Sequence, residues 1–245
     1  MITRVATGQW HALDDDLVVG RGDASPRPDG RLFLSIDTWQ AAVFDRLAEA
    51  MLAALPRPLY TVVDEADLDL TSTWERAGFT TRRREWEYVM PTDPRVTGLD
   101  RAAAPPGVTT LPVGAGETAP LRRLDRAIRA EVEATVGWQE MPAEILSIPV
   151  DPGRYAVAAE PGAYVGLARV VPLPRQTRIG LIAVRADRRR RGIARALLAE
   201  VLGAAHERGI ATASADVHEA NAAAIALFEG AGAHRASSNL ELVIH

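Results

Sequence analysis

One stretch, Val184 to Leu198, limits what this chain can fold into more than any other. It reads Val-Arg-Ala-Asp-Arg-Arg-Arg-Arg-Gly-Ile-Ala-Arg-Ala-Leu-Leu. The apolar run that ends at Val184 has the character of a strand. From Ile193 onward, Ile193, Ala194, Leu197, Leu198, Val201, Leu202 and Ala205 recur at helical spacing, with Arg195, Glu200 and Glu207 on the other face. A strand that passes through a charged turn into a helix, with Gly192 at the helix start, is the local architecture of an anion site. Backbone N–H groups at a helix start converge on one spot, the helix dipole adds partial positive charge, and a residue without Cβ lets a phosphate come close. Arginines 188 to 191 add full charges around that spot. The competing reading is a solvated arginine run, or a basic patch that touches nucleic acid. A net charge of -4 over 245 residues speaks against a chain built to find nucleic acid by bulk electrostatics.

Other classes fall away on composition. The chain holds no cysteine, which removes disulfides, thiolate metal sites and a cysteine acyl-enzyme. Its 28 basic residues are all arginine, so side-chain lysine chemistry is impossible. At 47% hydrophobic and 24% charged it reads as a soluble globular protein of one large or two small domains. No apolar run approaches the roughly 18 to 20 residues of a membrane span, and the N-terminal Met-Ile-Thr-Arg-Val-Ala lacks the blocks of a signal peptide. A cytoplasmic protein without membrane or metal partners is expected.

Along the chain, Arg31 to Ile36 reads as a strand, and Phe44, Leu47, Ala48, Met51, Leu52 and Leu55 recur as one helix face stopped by Pro56 and Pro58. Leu59 to Val63 is a strand, Leu70 to Ala77 a short helix closed by Gly78, and Trp86 to Met90 a strand. Between Pro91 and Gly107 prolines and glycines cluster, and the domain boundary is placed there, giving units 1–95 and 108–245 joined by a linker at 96–107. Beyond it come a strand at Val108 to Val113, a helix striped by Leu121, Leu124, Ile128, Val132 and Val136, and a shorter helix at Ala143 to Ser147. Three strands follow at Tyr155 to Ala159, Tyr164 to Val171 and Arg178 to Val184, separated as in an antiparallel meander. After the helix that opens at Ile193, Ala211 to Val217 is a strand, Asn221 caps a helix to about Glu229, and Leu240 to Ile244 is the last strand.

Arg189, Gly192 and Ala194 meet the pattern Arg/Gln-x-x-Gly-x-Gly/Ala, and the segment resembles the acyl-CoA-binding motif of the GCN5-related N-acetyltransferase (GNAT) family. The order of elements over 108–245 is the one that fold requires. The resemblance implies an α/β (α+β) fold with a mixed, mostly antiparallel sheet flanked by helices. It also implies direct transfer of an acetyl group from acetyl-CoA to an amine, without a covalent enzyme intermediate. It places backbone and side chains of Arg189, Arg190, Arg191, Gly192, Ile193, Ala194 and Arg195 around the pyrophosphate. The resemblance further implies that Ile182, Ala183 and Val184 pair with the pantetheine amides, with Ala215 to Val217 as the splayed neighbour. Asn221 matches a position that contacts the CoA arm, a role compatible with its N-cap role. Many members carry a tyrosine after the leucine of the last helix; here Leu227 is followed by Phe228, which cannot donate a proton to the leaving thiolate.

The first half resembles the second. The stripe Leu47, Met51, Leu52 and Leu55 repeats as Leu197, Val201, Leu202 and Ala205 at a spacing of 150 residues, and Gly78 and Gly232 close similar segments. At that spacing Trp39, Ala42 and Phe44 stand opposite Arg189, Gly192 and Ala194, and their side chains are expected to fill the phosphate pocket. The first half is therefore expected to be a partial, degenerate, non-binding repeat packed on the catalytic unit, a monomer with pseudo-dimeric halves. For the general base the sequence offers Asp216, His218 and Glu140, of which His218 has the most suitable intrinsic pKa. Trp138 is a candidate wall of the acceptor site, for a small-molecule or peptide amine. The alternative to an enzyme is a catalytically silent acyl-CoA-binding module for sensing or scaffolding.

Overall fold

The computed structural model describes residues 1–137, 140–141 and 144–245. Among these the chain runs β1 (Ile2–Ala6), β2 (Gln9–Asp14), β3 (Leu17–Pro26), β4 (Leu32–Asp37), α1 (Ala41–Ala54), β5 (Leu59–Asp64), α2 (Leu68–Arg76), β6 (Thr80–Pro91), α3 (Pro94–Thr97) and β7 (Thr109–Leu111). It continues with α4 (Thr118–Thr135), α5 (Glu144–Ser147), β8 (Tyr155–Glu160), β9 (Ala163–Pro172), β10 (Thr177–Val184), α6 (Ile193–Glu207), β11 (Thr212–His218), α7 (Ala222–Glu229) and β12 (His234–Ile244). Two compact units result. One comprises Met1–Glu85, Ala143–Ser147 and Ser237–His245, the other Trp86–Pro142 and Ile148–Ala236.

In the first unit β1 to β5 lie in sequence order, antiparallel except for β4 and β5, and residues Asn239 to Ile244 of β12 pair antiparallel with β5. Leu47 and Met51 of α1 and Trp74 of α2 pack with Leu34, Leu59 and Leu242 in one core, and Trp74 stands edge-on to Phe44 and Phe79. Burying side chains of this size is worth about 1.5 to 3 kcal/mol each. The strands β1 to β3 lack the apolar alternation that marks the others. The reason is visible in β3, where Gly20 and Gly22 stand where core residues would be. A Cβ on Gly22 would lie 2.5 Å from the Met51 sulfur and one on Gly20 2.7 Å from Val43, so α1 supplies the side chains and the strand supplies the room.

In the second unit the strand order is β6-β11-β10-β9-β8-β7. The expected meander is present: β8 pairs antiparallel with β9, and β9 with β10. One sheet face carries α6, whose Ile193, Leu197, Leu198 and Val201 pack on Ala156, Val165, Ile179 and Ala215. Gly166 of β9 lets α6 approach, since a Cβ there would lie 3.1 Å from both Ile193 and Leu197. The other face carries α4, whose Leu121, Leu124 and Ile128 pack on Tyr155, Val157 and Leu167. In the stretch 96–107, Leu99 is buried in the α6-side core. The last strand of the chain thus completes the first unit, while the second is edged by β6. No helix among the described residues is long and apolar enough to cross a membrane.

Candidate active site

A fork in the sheet organises the second unit. β10 pairs with β9 along its whole length, but with β11 in parallel only at Thr177↔Ala213 and Arg178↔Ser214. The divergence begins where the β9–β10 register shifts between Ile179 and Leu181, a bulge holding Gly180. A bulge bends its strand and sharpens the local twist, which turns β10 away from β11. Beyond Arg178 the edge of β10 that includes Ile182, Ala183 and Val184, and the facing edge of β11 at Ala215 to Val217, carry amide groups without ladder partners in each other.

Eight residues, 185–192, connect β10 to α6. Arg190 and Gly192 take left-handed φ angles of 60° and 87°. Gly192 is the N-cap and offers no capping side chain; the first bond of the helix is Ala196 N–H to the Gly192 carbonyl at 3.0 Å. Among the described residues, none of the backbone N–H groups from Arg190 through Arg191, Gly192, Ile193 and Ala194 to Arg195 has an acceptor. Six consecutive free donors at a helix start form a cradle for an anion. A Cβ on Gly192 would meet nothing within 4 Å, so protein packing does not demand glycine there; the left-handed backbone does.

Most arginine side chains of this turn have partners within the protein. Arg188 Nε and Arg191 Nη1 each donate to Glu160 at 2.8 Å. The hydrogen bond from Arg188, helped by that from Arg191 and opposed by desolvation, holds the Glu160 carboxyl below the usual carboxylate range. Arg189 Nε donates to the Val184 carbonyl at 3.1 Å and its Nη2 to Glu131 at 3.2 Å. Glu131 also accepts from the Ala186 N–H at 2.9 and 3.1 Å. Arg195 donates to the carbonyls of Gly98 at 2.8 Å and Gly230 at 3.4 Å. Three of the four arginines at 188 to 191 therefore staple the turn, and Arg190, among the described residues, is left to solvent or ligand. Sequence reading missed Glu131 and Glu160, which lie on α4 and at the end of β8; each is a lone acid with nothing local to mark it.

On β11, Ala213, Ala215 and Val217 face the core with α6, which turns Ser214, Asp216 and His218 to the α4 side. The structure brings the three candidate bases there as two pairs. Asp216 is ion-paired with Arg178 of β10, across the base of the fork. His218 Nδ1 accepts the Ala220 N–H at 3.0 Å, which assigns the ring proton of the neutral imidazole to Nε2, and Nε2 lies 3.8 Å from Glu140 Oε2. Asn221 caps α7, its Oδ1 accepting from Ala224 N–H at 3.1 Å. Phe228 is 2% exposed and stacks on Tyr88, ring centroids 6.3 Å apart. Trp138 lies outside the described residues. Two further residues on the α4 face were not singled out by sequence reading. Tyr155, 2% exposed, has its phenol pushed up by burial, with Arg169 opposing and Asp125 adding to the rise. Arg169 is its cross-strand partner. Among the described residues no group of three or more histidines and acids is placed to hold a metal.

Comparison with known proteins gives the following. Residues 123–233 match the model of the Acetyltransferase (GNAT) family. No curated protein matches. Among solved structures, a GCN5-related N-acetyltransferase from Sphaerobacter thermophilus is 19% identical with a TM-score of 0.67, over 99% of this chain and 82% of that one. A tandem GNAT protein from the clavulanic acid biosynthesis pathway is 16% identical with a TM-score of 0.67, over 96% and 82%. A GCN5-related N-acetyltransferase from Kribbella flavida is 15% identical with a TM-score of 0.59, over 96% and 86%. At such identities the likeness establishes the fold, and the family rests on the matched segment, which runs from α4 through the fork and the cradle to the end of α7. Residues 123–233 are thus a domain of the GNAT family, a family of acetyltransferases that move acyl groups from acyl-CoA.

Proposed function

We propose that the protein is an acetyl-CoA-dependent N-acetyltransferase that moves an acetyl group directly to a primary amine, with one working site in the second unit. The observation that carries this reading is the row of unpartnered N–H groups from Arg190 to Arg195 beside the open edge of β10. A pyrophosphate satisfies those donors, and the backbone edge of β10 between Ile182 and Val184 that is turned away from β9 offers the partners a pantetheine arm needs. Bound acetyl-CoA supplies the activated acetyl carbon. The chain must then hold the amine within about 3 to 3.5 Å of it and accept a proton. Of the three candidate bases, Asp216 is committed to Arg178, and His218, with Nδ1 occupied, has no lone pair to offer. Glu140, 46% exposed and faced by the His218 Nε2–H, is the carboxylate we assign to the proton. Phe228 cannot protonate the departing sulfur, but a thiolate whose thiol titrates near 8.5 leaves without that help.

The first unit is read as a degenerate, non-binding repeat, the chain acting as a cytoplasmic monomer with pseudo-dimeric halves. A second reading, a silent acyl-CoA-binding module, is favoured by Phe228 alone. Incubating the full-length protein with acetyl-CoA and a panel of primary amines while following free thiol separates the two. Amine-dependent thiol release supports the enzyme. Calorimetric binding of acetyl-CoA with no release from any amine supports the module.

A further inference from the structure

Arg169 lies in the middle of β9, on a face where its neighbours along the strand, Leu167 and Val171, are apolar. Across the sheet it is paired with Tyr155 on β8 and Leu181 on β10. Its guanidinium reaches the bulge at which β10 leaves β11: a Cβ on Gly180 would lie 2.8 Å from Arg169 Nη1, so glycine leaves the space that the guanidinium uses. Arg169 Nε is buried and has no hydrogen-bond partner among the described residues. Of the acids that act on Tyr155 with it, Asp125 is paired with Arg129 at 2.8 Å and Asp151 accepts the Gly153 N–H at 3.0 Å, and among the described residues Arg169 is in no ion pair. Arg169 is thus a surplus cation at the base of the fork, on the α4 side where Asp216, His218 and Glu140 gather.

A cation inside a sheet is normally compensated by a counter-charge, and one left uncompensated at a site is explained by a ligand that supplies it. Guanidinium is planar and offers paired N–H donors that match the two oxygens of a carboxylate. The same positive charge repels a polycationic amine and favours the neutral form of an amine held beside it. On the N-acetyltransferase reading, on which this rests, we infer that the acceptor is an amine bearing a carboxylate close to its amino group, and that Arg169 holds that carboxylate. The N–C bond forms and the C–S bond breaks while the carboxylate stays ionised on Arg169; one amine proton passes to Glu140 and the CoA sulfur departs as thiolate.

The test uses full-length protein, acetyl-CoA and a panel of amino acids, each paired with its methyl ester, followed by thiol release. The wild type should prefer the acid to its ester by about 30-fold or more in kcat/KM, the scale of a charge-assisted hydrogen-bonded pair. Arg169→Met should collapse that ratio toward one, mainly through a higher KM for the acid, and Arg169→Lys should keep part of it. Because Arg169→Met removes a partnerless charge and Arg169→Lys keeps the charge on a slimmer side chain, both variants should fold, which thermal melting checks. Acids and esters used equally by the wild type, or a ratio unmoved in Arg169→Met, overturns the inference. If no amine of either series releases thiol, the transferase reading falls first. The subsite is then read by calorimetry of N-acetylglycine in the presence of CoA. Binding to wild type and not to Arg169→Met supports it, and no binding to wild type sinks it.

Discussion

Each unit contains a strand fork, and only one of the two leads into a cradle. In the first unit β4 runs parallel to β5 for two pairs, Leu32↔Leu59 and Phe33↔Tyr60; in the second, β10 runs parallel to β11 for two pairs, Thr177↔Ala213 and Arg178↔Ser214. The helices that follow bury matching positions, Val43, Leu47, Ala48 and Met51 against Ile193, Leu197, Leu198 and Val201. What differs is the connector. Three residues, 38–40, join β4 to α1, whereas eight, 185–192, join β10 to α6. The N-cap Gln40 is extended, with φ at -116°, and its N–H is bonded to the Thr38 hydroxyl at 3.3 Å; Gly192 is left-handed and its neighbours' N–H groups are open. The expectation that Trp39 and Phe44 fill the phosphate pocket gives way to a simpler cause. Trp39 is 98% exposed and Phe44 is packed on Trp74, so nothing is plugged; the chain that would form the pocket is missing. The fork belongs to the fold, and the row of open N–H groups belongs to the longer connector.

The most severe way to break this comparison is to cut the two halves apart. A fragment 108–245 retains the fork and the cradle in sequence, but loses β6, the neighbour of β11, together with Leu99 of the core and the Gly98 carbonyl that accepts from Arg195. Its β11 would present a bare edge, which invites aggregation. The fragment is expected to be insoluble or unfolded by circular dichroism, with no acetyl-CoA binding. A soluble, fully active fragment would show that the second half is self-sufficient and that the first contributes nothing to it.

A narrower test substitutes the two helix starts alike. Gly192→Glu places a carboxylate where six N–H groups converge and should weaken acetyl-CoA binding by about 100-fold or more, as measured by calorimetry. The left-handed φ adds about 1 to 2 kcal/mol of backbone strain, which should lower the melting temperature without unfolding the chain. Gln40→Glu is the control: an acid at a helix start is favourable, so it should leave binding unchanged and stability equal or slightly higher. Equal effects at the two positions would erase the functional difference between the forks.

Sequence legibility follows the same divide. The meander, the helix from Ile193 and the Asn221 cap were readable because apolar period and capping chemistry are local. β1 to β3 were not, since Gly20 and Gly22 occupy core-facing places and the apolar atoms come from α1. Gly192 was readable as a turn glycine at a helix start, and its backbone there is left-handed. The roles of the turn's arginines were not: their partners Glu131 and Glu160 lie 58 and 28 or 31 residues away, and only the fold brings them near. Arg169 could be seen as an oddity in an apolar strand, but that its Nε lacks a partner is a fact of packing alone.

The smallest expected effect asks whether the ionic staples distinguish the units at all. Glu160 in the second unit is held low chiefly by the hydrogen bond from Arg188, and Glu65 in the first chiefly by that from Arg84 and then Ser238. In both, the folded protein favours the ionised carboxylate. The stabilisation is therefore fully present above the unfolded carboxylate value of about 4.3 and is lost as pH falls through the lower folded value. Nitrogen-15 spectra of the arginine Nε–H groups should show the Arg188 and Arg84 signals protected at pH 6 and shifting together below about pH 4. Glu160→Gln should remove the transition from Arg188 and leave it in Arg84. If the two signals titrate in one window, the staples are common to both units, and the anion site owes its existence to connector length and backbone conformation. A transition seen at Arg188 alone would make the Glu160 staple a property of the cradle itself, and would shift part of the difference between the forks from backbone to charge.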